Sequence, residues 1–112
     1  MAATLTSHEP ATGALLWQGE AGDVEAEVAR ARAAWPRWAA QPIAYRIETL
    51  RRFVNVVRRH EDALTDLIAR ETGKPLWDAR AEVAAVMGKV DISVAAYSDR
   101  TGQRRLEAAL GA

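Results

Sequence analysis

The chain has 112 residues, of which 49% are hydrophobic, with 15 basic residues, 15 acidic residues and no cysteine. This length predicts a single domain or one piece of a larger domain, and the balanced charge gives no field that would select nucleic acid or an anionic membrane. Without cysteine the chain supplies no disulfide, no thiolate zinc ligand and no cysteine nucleophile. We expect a soluble, cytoplasmic protein, because the sequence carries neither a signal-peptide pattern nor an apolar run of the roughly 20 residues that span a bilayer.

Residues 1–22 are predicted to form an N-terminal arm, a short β-hairpin. Pro10 and Gly13 lie in "EPATGA" between two short apolar runs, at Leu5 and at 15–17, which is the pattern of two strands joined by a turn. Because an isolated hairpin is only marginally stable in water, we expect this one to lie against the helices or to pair with further strands.

Residues 23–102 predict about four helices, so the expected fold class is mainly α. Asp23 is a plausible N-cap for the first helix, and Pro36 should end or bend this helix near its last turn. An apolar stripe at helical spacing runs through Val24, Val28, Ala31, Trp35 and Trp38.

The second predicted helix starts near Pro42, a residue type that a first helical turn accepts. Its apolar stripe consists of Ile43, Ile47, Leu50, Val54 and Val57. The arginines lie largely on its other sides, and such a basic amphipathic helix can bind a membrane surface or a partner protein. The zero net charge favours instead a helix that faces a core and carries a solvated arginine face.

The third helix is predicted from about Glu61 to Thr72, with Gly73 as the left-handed residue that ends it. The pair Gly73-Lys74 is not a phosphate loop, because no glycine precedes it at the required spacing and Pro75 occupies the Ser/Thr position. We therefore interpret Gly73 as a helix stop and Lys74 as a surface residue rather than a ligand.

The fourth helix is predicted from Pro75 to Ser98, and residues 103–112 are expected to be a frayed tail. Its apolar positions repeat every seven residues at Leu76, Val83, Val90 and Tyr97, with Ala79, Val86 and Val94 between them. A coiled coil would show this repeat too, but the charges are not arranged for pairing between helices, which favours a long packing helix.

The sequence nominates no catalytic, cofactor-binding or metal-binding residue. His8 and His60 stand far apart without a companion at ligand spacing, and there is neither a Gly-x-Gly-x-x-Gly nor a Gly-x-Ser-x-Gly motif. Glu71, Asp78 and Glu82 have the helical spacing that is typical of solvated faces.

The four tryptophans are the remaining candidates for a ligand platform. They are Trp17, Trp35, Trp38 and Trp77. Their places on apolar stripes favour core or interface anchors over a ligand site.

Four segments of the chain carry a family resemblance. They are "EPATGALLWQG", "ARAAWPRWA", "RIETLRRFVNVV" and "LIARETGKPLWDARAEVAAVMGKVDISVAAYSDRTG", in one order and at natural spacing. Together they resemble the N-terminal region of the NAD-dependent aldehyde dehydrogenases over roughly residues 5–105. The stretch from "ARETGKPLWDARAEV" to "AYSDRTG" is similar, more narrowly, to the members that act on succinylglutamate semialdehyde in bacterial arginine catabolism. The chain departs from the family at Glu9, where Asn is usual, and at Ala14, where an acidic residue is common; Glu9 could alter a hydrogen bond of the turn.

The resemblance implies the N-terminal portion of an α/β fold, with the whole chain a truncated single domain. In full-length members a cysteine attacks the aldehyde, NAD accepts a hydride, and a glutamate activates the water that releases the acid. None of these residues maps onto positions 1–112, so we expect the chain alone to be inactive and to bind no NAD. Some members bind a monovalent cation near this region; Glu82 is the nearest acidic match, but the correspondence is too loose to nominate it.

The resemblance also predicts the partner. The apolar faces should be covered by the missing remainder of the aldehyde dehydrogenase domain or by self-association, with no nucleic acid and no membrane involved. The alternative hypothesis is an independent helical interaction module, which would be a compact species without an exposed apolar patch. A third hypothesis, a residual enzyme, is disfavoured because the nucleophile is missing.

Overall fold

A computed structural model describes residues 3–102 of the chain. Its elements are β1 (Thr4–His8), β2 (Leu15–Glu20), α1 (Val24–Ala39), α2 (Ile43–Arg59), α3 (Glu61–Thr72) and α4 (Leu76–Thr101). The predicted fold class, a hairpin followed by four helices, is confirmed. The predicted frayed tail at 103–112 lies outside the described residues.

The hairpin closes through the backbone of Glu9. Strands β1 and β2 pair antiparallel. The carbonyl of Glu9 accepts from the N–H of Gly13 at 2.7 Å, and the N–H of Glu9 donates to the carbonyl of Ala14 at 2.9 Å. Gly13 has φ +74°, a left-handed conformation that glycine adopts without steric cost. The turn predicted in "EPATGA" therefore forms as its glycine indicates.

Helix α1 begins as predicted and ends slightly later than its proline. Asp23 is the N-cap, and its Oδ1 accepts from the N–H of Ala26 at 3.1 Å. Pro36 lies inside the helix, which continues to Ala39. The carbonyl of Pro36 still accepts from the N–H of Ala40 at 3.1 Å, so the proline falls in the last turn and the helix ends there.

The boundaries of α3 agree with the prediction and those of α4 differ by a few residues. Gly73 follows α3 with φ +75°, and its N–H donates to the carbonyl of Ala69 at 2.9 Å. Pro75 serves as the N-cap of α4 rather than as its first residue, and α4 extends three residues past the predicted end at Ser98.

The core is small and lies where α4 packs against α3 and α2. Its buried residues are Val57, Thr65, Ala79, Val83 and Val90. Among the residues that the structure describes, none in the hairpin or in α1 is buried. The core therefore contains only some residues of the apolar stripes on α2 and α4, and no residue of the stripe on α1.

The molecule is elongated. Its radius of gyration is 20.2 Å and its principal extents are 67 × 38 × 30 Å. A compact domain of this length would have a radius of gyration of about 13 Å. Much of the apolar surface of the helices therefore has no neighbour within residues 3–102.

Candidate functional site

The side chains that would suggest catalysis or metal binding do not meet. His8 lies at the end of β1, and His60 lies between α2 and α3. Within residues 3–102 no group of three or more histidine and acidic side chains is placed to hold a metal ion.

Glu82 and Lys74 neutralise one another at the start of α4. The Lys74 ammonium donates to the Glu82 carboxylate and lies 3.4 Å from a carboxylate oxygen of Asp78. The hydrogen bond to Glu82 is the main reason why the pKa of Lys74 is raised. Lys74 is half-buried and is held between two carboxylates, so these three residues form a local ion cluster between the α3–α4 link and the first turns of α4.

The described residues do not fit a dinucleotide. A Rossmann-type site needs parallel strands and a glycine-rich turn that leads into a helix. The part of the chain seen here has one sheet, of two antiparallel strands, and the sequence has no such glycine pattern.

No helix between residues 3 and 102 combines the length and the apolar character needed to cross a lipid bilayer.

Two polar contacts fix the hairpin on α3. The Arg70 Nε donates to the Glu9 Oε1 at 3.1 Å, and the indole N–H of Trp17 donates to the Glu71 carboxylate. The partners are 61 and 54 residues apart in the sequence. Sequence analysis missed both pairs, since no spacing rule relates residues so distant; only the unusual Glu9 in the turn drew attention to this place.

Hydrogen bonds at these contacts lower the pKa values of the two glutamates. The hydroxyl of Thr12, and after it Arg70, holds the pKa of Glu9 below its ordinary value. The hydroxyl of Ser7, followed by the indole of Trp17, does the same for the pKa of Glu71. Both carboxylates are therefore charged at neutral pH and act as acceptors that anchor the arm.

The largest unexplained feature is the exposed apolar surface of the helices. On α1 it comprises Val24, Val28 and Trp35; on α2, Ile43, Tyr45, Leu50, Phe53 and Val56; and on α4, Leu76, Trp77, Val86, Ile92 and Tyr97. Fully burying one such aliphatic or aromatic side chain stabilises a protein by roughly 1.5–3 kcal/mol. A surface of this extent is typical of a face that contacts another protein body.

Many residues of the apolar stripes that were predicted to pack are thus exposed. Trp35, Leu50 and Val86 are 60%, 38% and 49% exposed. Of the tryptophans, Trp38 is half-buried while Trp17, Trp35 and Trp77 are exposed. Three of the four tryptophans are therefore not buried within residues 3–102, and the other half of the expectation, that they are interface anchors, stays a prediction.

These features define a class of protein: a helical part with a hairpin arm, whose helices carry exposed apolar faces. Residues 2–110 match the aldehyde dehydrogenase family, and the chain belongs to that family. Its N-succinylglutamate 5-semialdehyde dehydrogenase relative from Novosphingobium aromaticivorans is 63% identical over 108 residues, which cover 96% of this chain and 23% of the relative.

Two further relatives carry the same name. The one from Sphingopyxis alaskensis is 60% identical over 111 residues, covering 99% of this chain and 23% of the relative. The one from Burkholderia mallei is 46% identical over 108 residues, covering 94% of this chain and 22% of the relative. The chain therefore spans less than a quarter of the length of the curated relatives it matches.

Proposed function

We propose that this chain is the N-terminal helical part of an NAD-dependent aldehyde dehydrogenase that oxidises N-succinylglutamate 5-semialdehyde, or a related aldehyde, to its carboxylate in arginine catabolism. The supporting observation is the 63% and 60% identity, over nearly the whole chain, to two relatives that bear the name of that activity. The use of NAD and the place in arginine catabolism rest on the family resemblance.

The chain's own contribution is structural. It supplies no cysteine, and in this proposal the reacting groups and the cofactor site belong to the remainder of the enzyme. The exposed faces of α1, α2 and α4 are the surfaces on which that remainder packs. Burial of side chains such as Trp35 and Val86 would then stabilise the whole enzyme rather than this part alone.

Self-association is the alternative way to cover these faces, because a second copy offers the same apolar chemistry. An independent interaction module is disfavoured, since that hypothesis requires a compact species without an exposed apolar patch. The exposed side chains and the radius of gyration of 20.2 Å argue against it.

The decisive experiment starts from the DNA that follows codon 112. We expect an in-frame or frameshifted continuation that encodes a cysteine nucleophile. The product of the continuous reading frame should reduce NAD with N-succinylglutamate 5-semialdehyde at a higher kcat/KM than with other semialdehydes. A continuation without such a cysteine, or a product that prefers an unrelated aldehyde, would contradict the proposal. As a control, the 112-residue chain alone should produce no NADH.

A further inference from the structure

A cleft of about 180 Å³ lies between the end of α1, the start of α2 and the last turns of α4. Trp38, Ile47 and Val94 contribute apolar walls. The cleft is large enough for an amino-acid side chain.

Arg46 is the charged residue in this cleft, and its hydrogen bonding is incomplete. Its Nε atom is buried and has no hydrogen-bond partner within residues 3–102. An arginine stays protonated in proteins and carries five N–H donors. A buried donor without an acceptor destabilises the folded state, so the Arg46 Nε marks a place where an acceptor is missing.

The other polar residues of the cleft supply no negatively charged acceptor for Arg46. Ser93 and Tyr97 line it with hydroxyl groups, and none of its lining residues is acidic. The cleft thus combines apolar walls with donors from an arginine and two hydroxyls. The chemical group that complements such donors best is a carboxylate, which accepts charge-assisted hydrogen bonds from a guanidinium.

We propose that this cleft receives a segment of the remainder of the dehydrogenase, in which an Asp or Glu side chain pairs with Arg46 and flanking apolar side chains cover the rim. The inference rests on the proposed function, because it takes the occupant from the rest of the same enzyme. The rim argues for a protein segment over a free small carboxylate. Ile43, Leu50 and Tyr97 line the cleft and are 37%, 38% and 44% exposed, and a small anion would leave them so.

The test compares the isolated chain with a chimera. In the chimera this chain replaces the matching N-terminal segment of the Novosphingobium aromaticivorans relative. In the isolated chain, Arg46→Met removes an unpaired buried donor while keeping the side-chain bulk, so the unfolding midpoint should stay unchanged or rise. In the chimera the same change leaves a buried carboxylate without its partner. The rate of thermal inactivation should then rise at least about tenfold, since each ~1.4 kcal/mol of lost stabilisation is a factor of ten.

Two further variants make the comparison specific. Arg46→Lys keeps the charge but not the planar fork of donors, so it should lose less than Arg46→Met in the chimera. Arg59→Met removes an exposed arginine at the other end of the same helix, outside the cleft. This substitution should change neither the unfolding midpoint of the isolated chain nor the inactivation rate of the chimera.

Several results would overturn the inference. Equal inactivation rates of the Arg46→Met and Arg59→Met chimeras would show that no carboxylate of the remainder pairs with Arg46. Equal destabilisation of the isolated chain and the chimera would show that Arg46 serves only the fold of this part. If the isolated chain were a dimer and Arg46→Met converted it to a monomer, the occupant of the cleft would be a second copy of the chain. If acetate stabilised the isolated chain while Arg46→Met left the inactivation rate of the chimera unchanged, the occupant of the cleft would be a free anion. A parent chimera that fails to fold would also count against the proposal. None of these measurements uses the aldehyde, so they are distinct from a failure of the proposed activity.

Discussion

The Nε of Arg70 in α3 donates to a carboxylate oxygen of Glu9 in the hairpin turn over 3.1 Å, across 61 residues of sequence. The Glu9 side chain is only 19% exposed, whereas that of Arg70 is 46% exposed. With the second contact, from Trp17 to Glu71, this pair anchors the N-terminal arm on the helices. A hairpin that is marginal alone is thereby held in a defined place.

Arg70→Ala should loosen the arm without unfolding the helices. Loss of the contact to Glu9 removes one of the two polar anchors, so amide exchange of residues 4–20 should become severalfold faster while that of α4 stays unchanged. Hydrogen exchange followed by mass spectrometry measures both. Arg59→Ala, at an exposed position of α2, is the matched control. Equal exchange of the hairpin in wild type and Arg70→Ala would show that this pair does not hold the arm.

The contacts of Glu9 and Glu71 should weaken in acid and stay intact around neutral pH. Because the pKa values of Glu9 and Glu71 are lowered in the folded chain, their contribution is fully present above the ordinary glutamate pKa of about 4.3. It is lost as the pH falls through the lowered values, when the carboxylates take up protons. The indole N–H resonance of Trp17 should therefore hold its position around neutral pH and shift only when the pH falls below the ordinary glutamate pKa. A transition near neutral pH would contradict this assignment.

Two glycine-to-alanine changes should have opposite effects on the isolated chain. Gly73 has φ +75°, and an added Cβ would meet its nearest atoms, on Pro10, at 3.8 Å, so the cost of Gly73→Ala is that of a left-handed alanine, roughly 1–2 kcal/mol. Gly88 lies inside α4, and a Cβ there meets nothing within 4 Å. Gly88→Ala should stabilise by about 0.5–1 kcal/mol. Urea unfolding monitored by circular dichroism gives both values, and a stabilising Gly73→Ala would refute its role as a helix stop.

Val83 and Val86 distinguish the buried core of this chain from its exposed apolar surface. Val83 is 2% exposed and Val86 is 49% exposed. In the isolated chain Val83→Ala should cost roughly 1.5–3 kcal/mol, whereas Val86→Ala should stay within about 0.5 kcal/mol. In the chimera Val86→Ala should cost roughly 1–2 kcal/mol, because the remainder of the enzyme covers that position. Urea unfolding of these three variants and their two parent proteins tests this, and a Val86 effect that is equally small in the chimera would show that nothing packs there.

Local signals in the sequence predicted the elements well. Asp23 as N-cap and Gly73 as helix stop are each satisfied within a few residues of the backbone, so their effect can be read from neighbouring letters. Pro36 agrees with its prediction too, because it lies in the last turn of α1, which ends at Ala39.

Packing was less predictable, for two physical reasons. An apolar stripe shows that a face will be buried but not by what, so the stripe through Val24, Val28 and Trp35 lies exposed here. Pairs such as Arg70 with Glu9 depend on how the arm and α3 are placed in space, which no periodicity encodes. The cleft around Arg46 is of the same kind, because it forms only where α1, α2 and α4 converge.

Dye binding to exposed apolar surface, combined with the molecular mass from sedimentation equilibrium, tests the central claim most directly. The isolated chain should bind an apolar fluorescent dye strongly or self-associate, and the chimera should bind far less dye per copy of the chain, because its remainder occupies the faces of α1, α2 and α4. An isolated chain that is a compact monomer, binds no dye and melts sharply would contradict the account.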